Sequence, residues 1–176
     1  GAAGTLNAGS GFVTFLNAAR RVLDTGIDAE FVVAGTGEEE SELRRRAERL
    51  KIDDRVTFAS ESSPADGFWD VLDVYCQPST IPTVGRGLRM AMSHAVPSIA
   101  SDIPGLRSLV EHDVTGLQVV PGDTNAAAKA VTDLLRNPDR AASLGRAGRE
   151  RVLRDHDAEA EIDALLALYD EAIRSD

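Results

Sequence analysis

Cysteine and histidine are scarce in this 176-residue sequence, and their scarcity argues against disulfide and metal chemistry. The single cysteine, Cys76, excludes an intrachain disulfide and a cysteine-rich metal site. The three histidines are scattered along the chain, which is not typical of a metal centre. Cys76 lies in the apolar run 71–76, where we expect a core residue rather than a reactive thiol. The sequence therefore predicts no metal site and no cofactor.

Long hydrophobic runs and an excess of positive charge are also missing. No apolar run approaches the roughly 18 residues that cross a bilayer. Residues 1–18 carry no basic residue ahead of an apolar block, so no signal peptide is expected. Lys and Arg number 19 against 29 Asp and Glu, a formal net charge of −10. Nucleic-acid binding depends on cationic side chains that replace counterions, so no nucleic-acid partner is expected. These features indicate an acidic cytoplasmic protein with a small-molecule ligand.

The rest of the composition is that of a single globular domain. Hydrophobic residues make up 43% of the chain and charged residues 27%, which are ordinary values. The length also corresponds to one domain, and it is sufficient to bury a core without disulfides or metals. We therefore expect residues 1–176 to form one domain.

Short apolar runs alternate with amphipathic stretches along the chain. The runs predict strands and the stretches predict helices. The predicted strands are residues 30–34, 55–59, 74–76, 97–100 and 116–120. The predicted helices are residues 12–23, 38–50, 65–72, 87–95 and 105–111, with three closing helices between about 125 and 174. Such alternation predicts an α/β fold with a doubly wound parallel sheet that carries helices on both faces.

The segments that follow the predicted strands are rich in Gly, Ser and Thr. They are residues 35–37, 60–63, 78–85 and 101–105. Ligands of open parallel sheets bind at the carboxyl ends of the strands, near the point where strand order reverses. Backbone amides and hydroxyls in such loops suit phosphates and sugars. Turns are also rich in these residues, for conformational reasons. The composition therefore fits both ligand-binding loops and simple turns at this point.

Residues 91–123 carry a recognisable pattern. The segments Ala91–Asp102, Pro104–Gly105, Asp113–Leu117 and Val120–Asp123 together resemble the C-terminal domain of GT-B glycosyltransferases of family 4, also called glycosyl transferase group 1. The flanking segments that fit the same family in collinear order are residues 33–37, 54–58, 73–79, 137–139 and 144–152. The resemblance implies a Rossmann-like, six-stranded C-terminal lobe of a GT-B fold, with its first strand ending within residues 1–4. It also implies an N-terminal lobe that this chain lacks.

The function that the resemblance implies is sugar transfer. Members of this family transfer a sugar from a nucleotide-sugar with retention of configuration, and their C-terminal domain binds the donor. The chain is then the donor-binding lobe of a retaining hexosyltransferase, with a UDP- or GDP-sugar and the N-terminal lobe as partners. Alone it is expected to be inactive. We further expect a location in the cytoplasm or, through the absent lobe, at the inner membrane, and dimerisation through the exposed apolar stripe of residues 158–173.

Several polar residues that the resemblance assigns to the donor site are replaced. Thr5 (Ala2 if the loop is longer) and Ser10 stand where the family has an arginine and a lysine for the diphosphate. Pro82 and Met90 stand where it has glutamates for the donor sugar and the ribose, and a serine replaces a further glutamate. No catalytic residue is intact. The candidate nucleotide-sugar-binding residues, by family position, are Thr5, Ser10, Gly35, Thr36, Gly37, Pro82, Thr83, Val84, Gly85, Met90, Pro104, Gly105, Arg107 and Ser108.

These replacements leave more than one hypothesis open. A diphosphate without a cation loses charge-assisted hydrogen bonds that contribute about 1.5–3 kcal/mol each. In one hypothesis the donor site works, with Arg107 as the substitute cation and with Arg86 and Arg89 pointing to solvent. The alternative is a degenerate GT-B domain that acts as a non-catalytic binding or regulatory module. A GT-B enzyme with another role, such as an epimerase, or one with a lipid-linked donor is a third option.

Overall fold

The computed structural model describes residues 1–59 and 66–155. The strands in these ranges are β1 (Ala2–Ala3), β2 (Phe31–Ala34), β3 (Val56–Ala59), β4 (Tyr75–Gln77), β5 (Ser98–Ser101) and β6 (Leu117–Val119). The helices are α1 (Phe12–Asp24), α2 (Glu40–Leu50), α3 (Asp66–Asp70), α4 (Arg86–Ser93), α5 (Thr124–Arg136) and α6 (Pro138–Asp155). Strands and helices therefore alternate in the described ranges as far as β5, which turns connect directly to β6 before the two closing helices.

The six strands form two parallel three-stranded sheets that meet at Gly1. Their orders are β1-β2-β3 and β4-β5-β6. The Gly1 nitrogen donates to the Val74 carbonyl at 2.7 Å, and the Gly1 carbonyl accepts from the Cys76 amide at 2.8 Å. These bonds connect the β1 edge to the β4 edge, so the overall order is β3-β2-β1-β4-β5-β6. The prediction of a doubly wound parallel six-stranded sheet is confirmed, and strand order reverses between β1 and β4.

Helices cover both faces of the sheet, and strand residues alternate between two hydrophobic clusters. Val33 and Ile99 pack with α1, α2 and α5 on one face, whereas Ala34 and Ala100 pack with α3 and α4 on the other. Helix α6 contributes side chains to both clusters. Successive side chains of a strand point to opposite faces, so a parallel sheet buried on both sides appears in the sequence as short continuous apolar runs.

Cys76 lies in the middle of β4 and is buried in the first of these clusters. Burial raises the pKa of its thiol to about 11, because the thiolate would have to leave water. The prediction of a core cysteine is confirmed.

The predicted helix 105–111 is wrong, because this segment forms a series of turns. The amides of Leu106 and Arg107 both donate to the Ile103 carbonyl, at 3.2 and 2.9 Å, and no regular helical ladder continues from them. Gly105 has φ 89°, in the left-handed region, and a Cβ at this position would lie 2.1 Å from the Thr83 carbonyl oxygen. The glycine thus fixes a tight turn against the loop after β4.

Two of the three predicted closing helices are present as α5 and α6, with the expected break at Asn137. Asp123 caps α5 by accepting from the Ala126 amide at 2.9 Å. The third closing helix, and with it the apolar stripe proposed as a dimer surface, lies outside the described residues.

Candidate functional site

A cavity of about 610 Å³ opens at the carboxyl ends of β1 and β4. These are the two strands between which strand order reverses, and open parallel sheets bind their ligands at this point. The loop after β1 forms one wall of the cavity, and the loop after β4 together with the start of α4 forms the other. Thr36, after β2, and Trp69, in α3, complete the described lining.

The first wall is the loop between β1 and α1, and it is shaped by its own hydrogen bonds. The Gly4 amide donates to the Ala34 carbonyl at 2.9 Å, which extends the β1–β2 pairing into the loop. The Ser10 hydroxyl oxygen lies 2.5 Å from the Thr5 carbonyl oxygen and 2.9 Å from Asn7 Oδ1. The Ser10 hydroxyl is therefore engaged within the loop, although the residue lines the cavity.

The second wall is held against the first by direct backbone contact. The Thr80 amide donates to the Gly9 carbonyl at 2.9 Å. Gly11 has φ 76°, and a Cβ there would lie 1.8 Å from the Pro78 carbonyl oxygen. No other residue fits this approach without displacing the backbone. The two loops thus form one continuous rim.

A buried polar chain lies beneath the cavity. The Tyr75 hydroxyl lies 2.7 Å from Gln77 Oε1 and 3.2 Å from the Ala3 carbonyl oxygen. Gln77 Nε2 donates to Ser79 Oγ at 3.0 Å. Burial raises the pKa of Tyr75 well above its ordinary value, so its hydroxyl stays protonated. Gln77 and Ser79 line the cavity with side chains whose orientation is already fixed.

The other part of the lining is apolar. Ile81, Val84 and Met90 line the cavity and are exposed to solvent. Trp69 lines it as well but is only 2% exposed, and its indole Nε1 is buried without a hydrogen-bond partner among the described residues. A buried N–H without a partner is rare in proteins. The cavity therefore joins a polar floor to an apolar rim.

Arg86 is the one residue with a charged side chain among the described residues that line the cavity. It is the first residue of α4 and is exposed. Arg107 does not line the cavity: its Nε donates to Asp102 Oδ1 at 2.5 Å, and this hydrogen bond lowers the pKa of the Asp102 carboxyl. The assignment of Arg107 as the substitute cation stays a prediction; in the structure Asp102 engages Arg107, whereas Arg86 lies at the cavity.

The structure brings together half of the candidate residues that the resemblance supplied. Those that line the cavity are Thr5, Ser10, Thr36, Pro82, Thr83, Val84 and Met90. Those that do not are Gly35, Gly37, Gly85, Pro104, Gly105, Arg107 and Ser108. A Cβ on Gly35 or Gly37 would lie 1.9 Å from the Gly4 carbonyl oxygen or 2.3 Å from that of Leu6, so both glycines allow loops to pack closely. Gly85 adopts φ 64° at the start of α4.

Five residues with polar groups at the cavity were not assigned to the site from the sequence: Asn7, Trp69, Gln77, Ser79 and Arg86. Gln77 directly follows the predicted strand 74–76, and Ser79 lies in the loop segment 78–85, so the position of the strand was a usable signal. The orientation of Arg86 had no such signal.

The described lining holds hydrogen-bond donors and one cation but no carboxylate. Within residues 1–59 and 66–155, His, Cys, Asp and Glu side chains form no group of three that could hold a metal ion. The described lining can bind an anionic, hydroxyl-bearing ligand, and it provides no carboxylate or imidazole for proton transfer. No helix in these ranges is long and apolar enough to cross a membrane.

Known proteins of similar structure and sequence are glycosyltransferases. The structure of a point mutant of Staphylococcus aureus TarM, solved with UDP, covers 96% of this chain with a TM-score of 0.88 and 18% identity; the match spans 35% of that chain. A GDP-mannose-dependent α-(1-6)-phosphatidylinositol monomannoside mannosyltransferase of Mycobacterium tuberculosis is 34% identical over 80% of this chain. An N-acetyl-α-D-glucosaminyl L-malate synthase of Bacillus anthracis is 26% identical over 86% of this chain. The chain spans 38% and 40% of the length of these two relatives.

The fold is that of the C-terminal, Rossmann-like domain of GT-B glycosyltransferases. The family described as Glycosyl transferases group 1 matches residues 1–137, which is most of the chain. The chain belongs to this family.

Proposed function

We propose that the cavity binds the nucleoside diphosphate of a UDP- or GDP-sugar, and that the chain is the donor-binding lobe of a retaining hexosyltransferase. The observation that carries this proposal is the cavity at the reversal of strand order, where two loops meet around fixed hydrogen-bonding groups. Its volume, about 610 Å³, lies within the range of small-molecule sites.

The similarity to other glycosyltransferases supports a nucleoside diphosphate as the ligand. TarM was solved with UDP, and the name of the mycobacterial relative specifies GDP-mannose. The two differ in the base and share the diphosphate. The proposal therefore specifies the diphosphate and does not specify the base or the sugar.

The chemistry assigned to this lobe is stabilisation of the leaving group. In the transfer, the bond between the anomeric carbon and the diphosphate oxygen breaks, and the electron pair leaves with the diphosphate. The acceptor oxygen bonds to the anomeric carbon and loses its proton. Fixed donors such as the Ser79 hydroxyl, with a nearby cation, stabilise the charge that develops on the leaving group. The acceptor and its proton are handled by the N-terminal lobe in this proposal, so the isolated chain binds a donor without turnover.

Calorimetric titration of the chain with UDP and GDP tests the donor site. We expect saturable binding of at least one nucleotide, and loss of that binding in Thr5→Trp, which places a large side chain in the cavity at an exposed lining position. Thr57→Trp is the matched control, because Thr57 is exposed on β3 and does not line the cavity. An absence of heat with both nucleotides at millimolar concentration, or equal binding by both variants, would contradict the proposal.

The second candidate is a lobe that binds its ligand without taking part in transfer. The observation in its favour is that Pro82 and Met90 line the cavity where the resemblance implies glutamates. An assay of the protein that includes the N-terminal lobe distinguishes the two candidates. Hydrolysis of UDP- or GDP-sugars to free sugar, or transfer of their sugar to an acceptor, supports the enzyme. Nucleotide binding with no release of sugar supports the binding module.

A further inference from the structure

The charge of the cavity is opposite to the charge of the chain. The whole sequence has a formal net charge of −10, yet the described lining contains one arginine and no acidic residue. A cation next to neutral groups, without a carboxylate beside it, creates a locally positive potential. The ligand that such a cavity attracts is an anion.

Arg86 is free to bind that anion. Other arginines on the surface are paired with acids: Arg55 with Asp28 and Glu30, and Arg107 with Asp102. Arg86 forms no ion pair or side-chain hydrogen bond with any residue in 1–59 or 66–155. No internal partner has to be displaced before its guanidinium contacts a ligand.

The backbone around Arg86 also favours an anion. Gly85, in the left-handed conformation, precedes α4, and no side chain caps the first turn of this helix. The first turn holds no acidic residue, so its free amides and the positive end of the helix dipole stay uncompensated within the helix. Gly87 lines the cavity, and a Cβ there would lie 2.3 Å from the Tyr75 hydroxyl. The first turn thus packs directly on the polar floor.

A separate observation points to a ligand in the same place. Trp69 is only 2% exposed, lines the cavity, and carries an Nε1–H without a hydrogen-bond partner. Its ring packs edge-on against Tyr75 at 5.5 Å between centroids, and the Tyr75 hydroxyl in turn lies against Gly87 in the first turn of α4. Trp69 thus places a buried donor beside the cavity, and nothing in the described protein satisfies it.

We propose that Arg86 is the cation that binds the diphosphate, in place of the basic residues that positions 5 and 10 lack. The phosphates then lie against the first turn of α4, on the wall formed after β4, rather than against the loop after β1. This inference rests on the proposed function, because it names the group that holds the donor in the same cavity.

Titration of three variants with UDP, GDP and inorganic pyrophosphate tests the role of Arg86. We expect Arg86→Ala to weaken pyrophosphate and nucleotide binding by roughly tenfold or more, since it removes charge-assisted hydrogen bonds. Arg86→Lys should recover part of the affinity, because it restores the charge without the planar fork. Arg89→Ala is the control: Arg89 lies on the same helix, outside the cavity lining, and should bind like the wild type.

A second readout separates a charge contact from a structural effect. The affinity of the wild type for UDP or pyrophosphate should fall as salt rises, and Arg86→Ala should reduce this dependence. The melting temperature of Arg86→Ala should match that of Arg89→Ala, since Arg86 is exposed and unpaired within the described residues.

The possible outcomes distinguish the role of Arg86 from the function on which it rests. Nucleotide binding that is unchanged in Arg86→Ala overturns the role of Arg86 and leaves the donor site standing. Pyrophosphate binding that depends on Arg86, without binding of UDP or GDP, supports the anion site and overturns the nucleotide-sugar function. A wild type that binds none of the three probes overturns both.

Discussion

Met90 and Arg86 lie one turn apart on the same side of α4, and they offer the ligand opposite kinds of contact. Arg86 can hold a phosphate, whereas the Met90 side chain accepts no hydrogen bond of useful strength. In this family the resemblance implies a glutamate for the ribose hydroxyls at position 90. In the proposed donor site, these two residues offer a strong contact to phosphate and a weak contact to ribose.

Met90→Glu is expected to create a preference for the ribose. The new carboxylate would accept from the ribose hydroxyls, and a hydrogen bond to a charged group contributes about 1.5–3 kcal/mol, on the order of tenfold or more in affinity. The wild type should therefore bind UDP and 2′-deoxy-UDP about equally, and the variant should favour UDP, as measured by calorimetry. Met90→Leu, of similar volume and polarity, is the control. A wild type that already prefers UDP strongly would show that other groups bind the ribose.

At the scale of elements, the cavity depends on two loops that touch at glycines. Gly11 and Thr80 bring the loop after β1 against the loop after β4, through the Pro78 carbonyl and the Gly9 carbonyl. The walls are separate in the sequence, and the distance between them is set at these few contacts. Changes at Gly11 or Thr80 should affect ligand binding although neither residue lines the cavity.

Gly11→Ala is expected to lower both stability and nucleotide affinity. A residue with a side chain at φ 76° carries strain of about 1–3 kcal/mol, and its Cβ would also displace the Pro78 carbonyl. Gly26→Ala is the matched control, because Gly26 has φ 80° but no atom lies within 4 Å of the position that its Cβ would take. Urea unfolding and calorimetry should show a stability loss in both variants and an affinity loss in Gly11→Ala alone. Equal effects in the two variants would mean that the contact with Pro78 does not shape the cavity.

Helices and strands could be predicted from the sequence where the local pattern of residues determines them. They could not be predicted where a contact between distant segments determines the conformation. A strand such as β2 is buried on both faces, so it appears as an apolar run. Residues 105–111 have the apolar spacing of a helix, yet the close approach of Gly105 to the Thr83 carbonyl makes them turns. That approach joins segments that are far apart along the chain, and no local pattern contains it.

The same distinction between local pattern and distant contact applies to the candidate site. The register of the family pattern located Thr5, Ser10, Pro82 and Met90, and all four line the cavity. The orientations of Arg86 and Arg107 could not be predicted in this way. They depend on the conformation of Gly85 and on the capture of Arg107 by Asp102, which become visible only in three dimensions.

At the scale of the whole molecule, the junction between β1 and β4 joins the two halves of the sheet. Two backbone bonds of Gly1 connect them, and Cys76 lies at this junction with its thiol buried in the core. The stability of the domain should therefore respond to the ionisation of that thiol.

Stability is expected to fall as the pH rises from 9 towards 11. The ordinary pKa of a cysteine is 9.0, and burial raises that of Cys76 to about 11. Between these values the folded chain holds a proton that the unfolded chain releases, so alkali favours unfolding, by on the order of 1–3 kcal/mol. Urea unfolding just below pH 9 and at higher pH measures the fall, and Cys76→Ala should reduce it. Burial also raises the pKa of Tyr75, which adds a further loss at higher pH. An identical slope in the variant and the wild type would exclude Cys76 as its source.

The order of the strands also assigns the two walls of the cavity to separate parts of the chain. Residues 1–59 build one half of the sheet together with the wall that carries positions 5 and 10, while β4 to β6 and the wall with Arg86 belong to the other half. Among the described strands the chain passes between the halves once, so a single crossover between two related genes would exchange one of these walls and keep the other. In the proposed donor site, a cation at position 86 in one wall therefore compensates for neutral residues at positions 5 and 10 in the other, and the two walls can be exchanged separately.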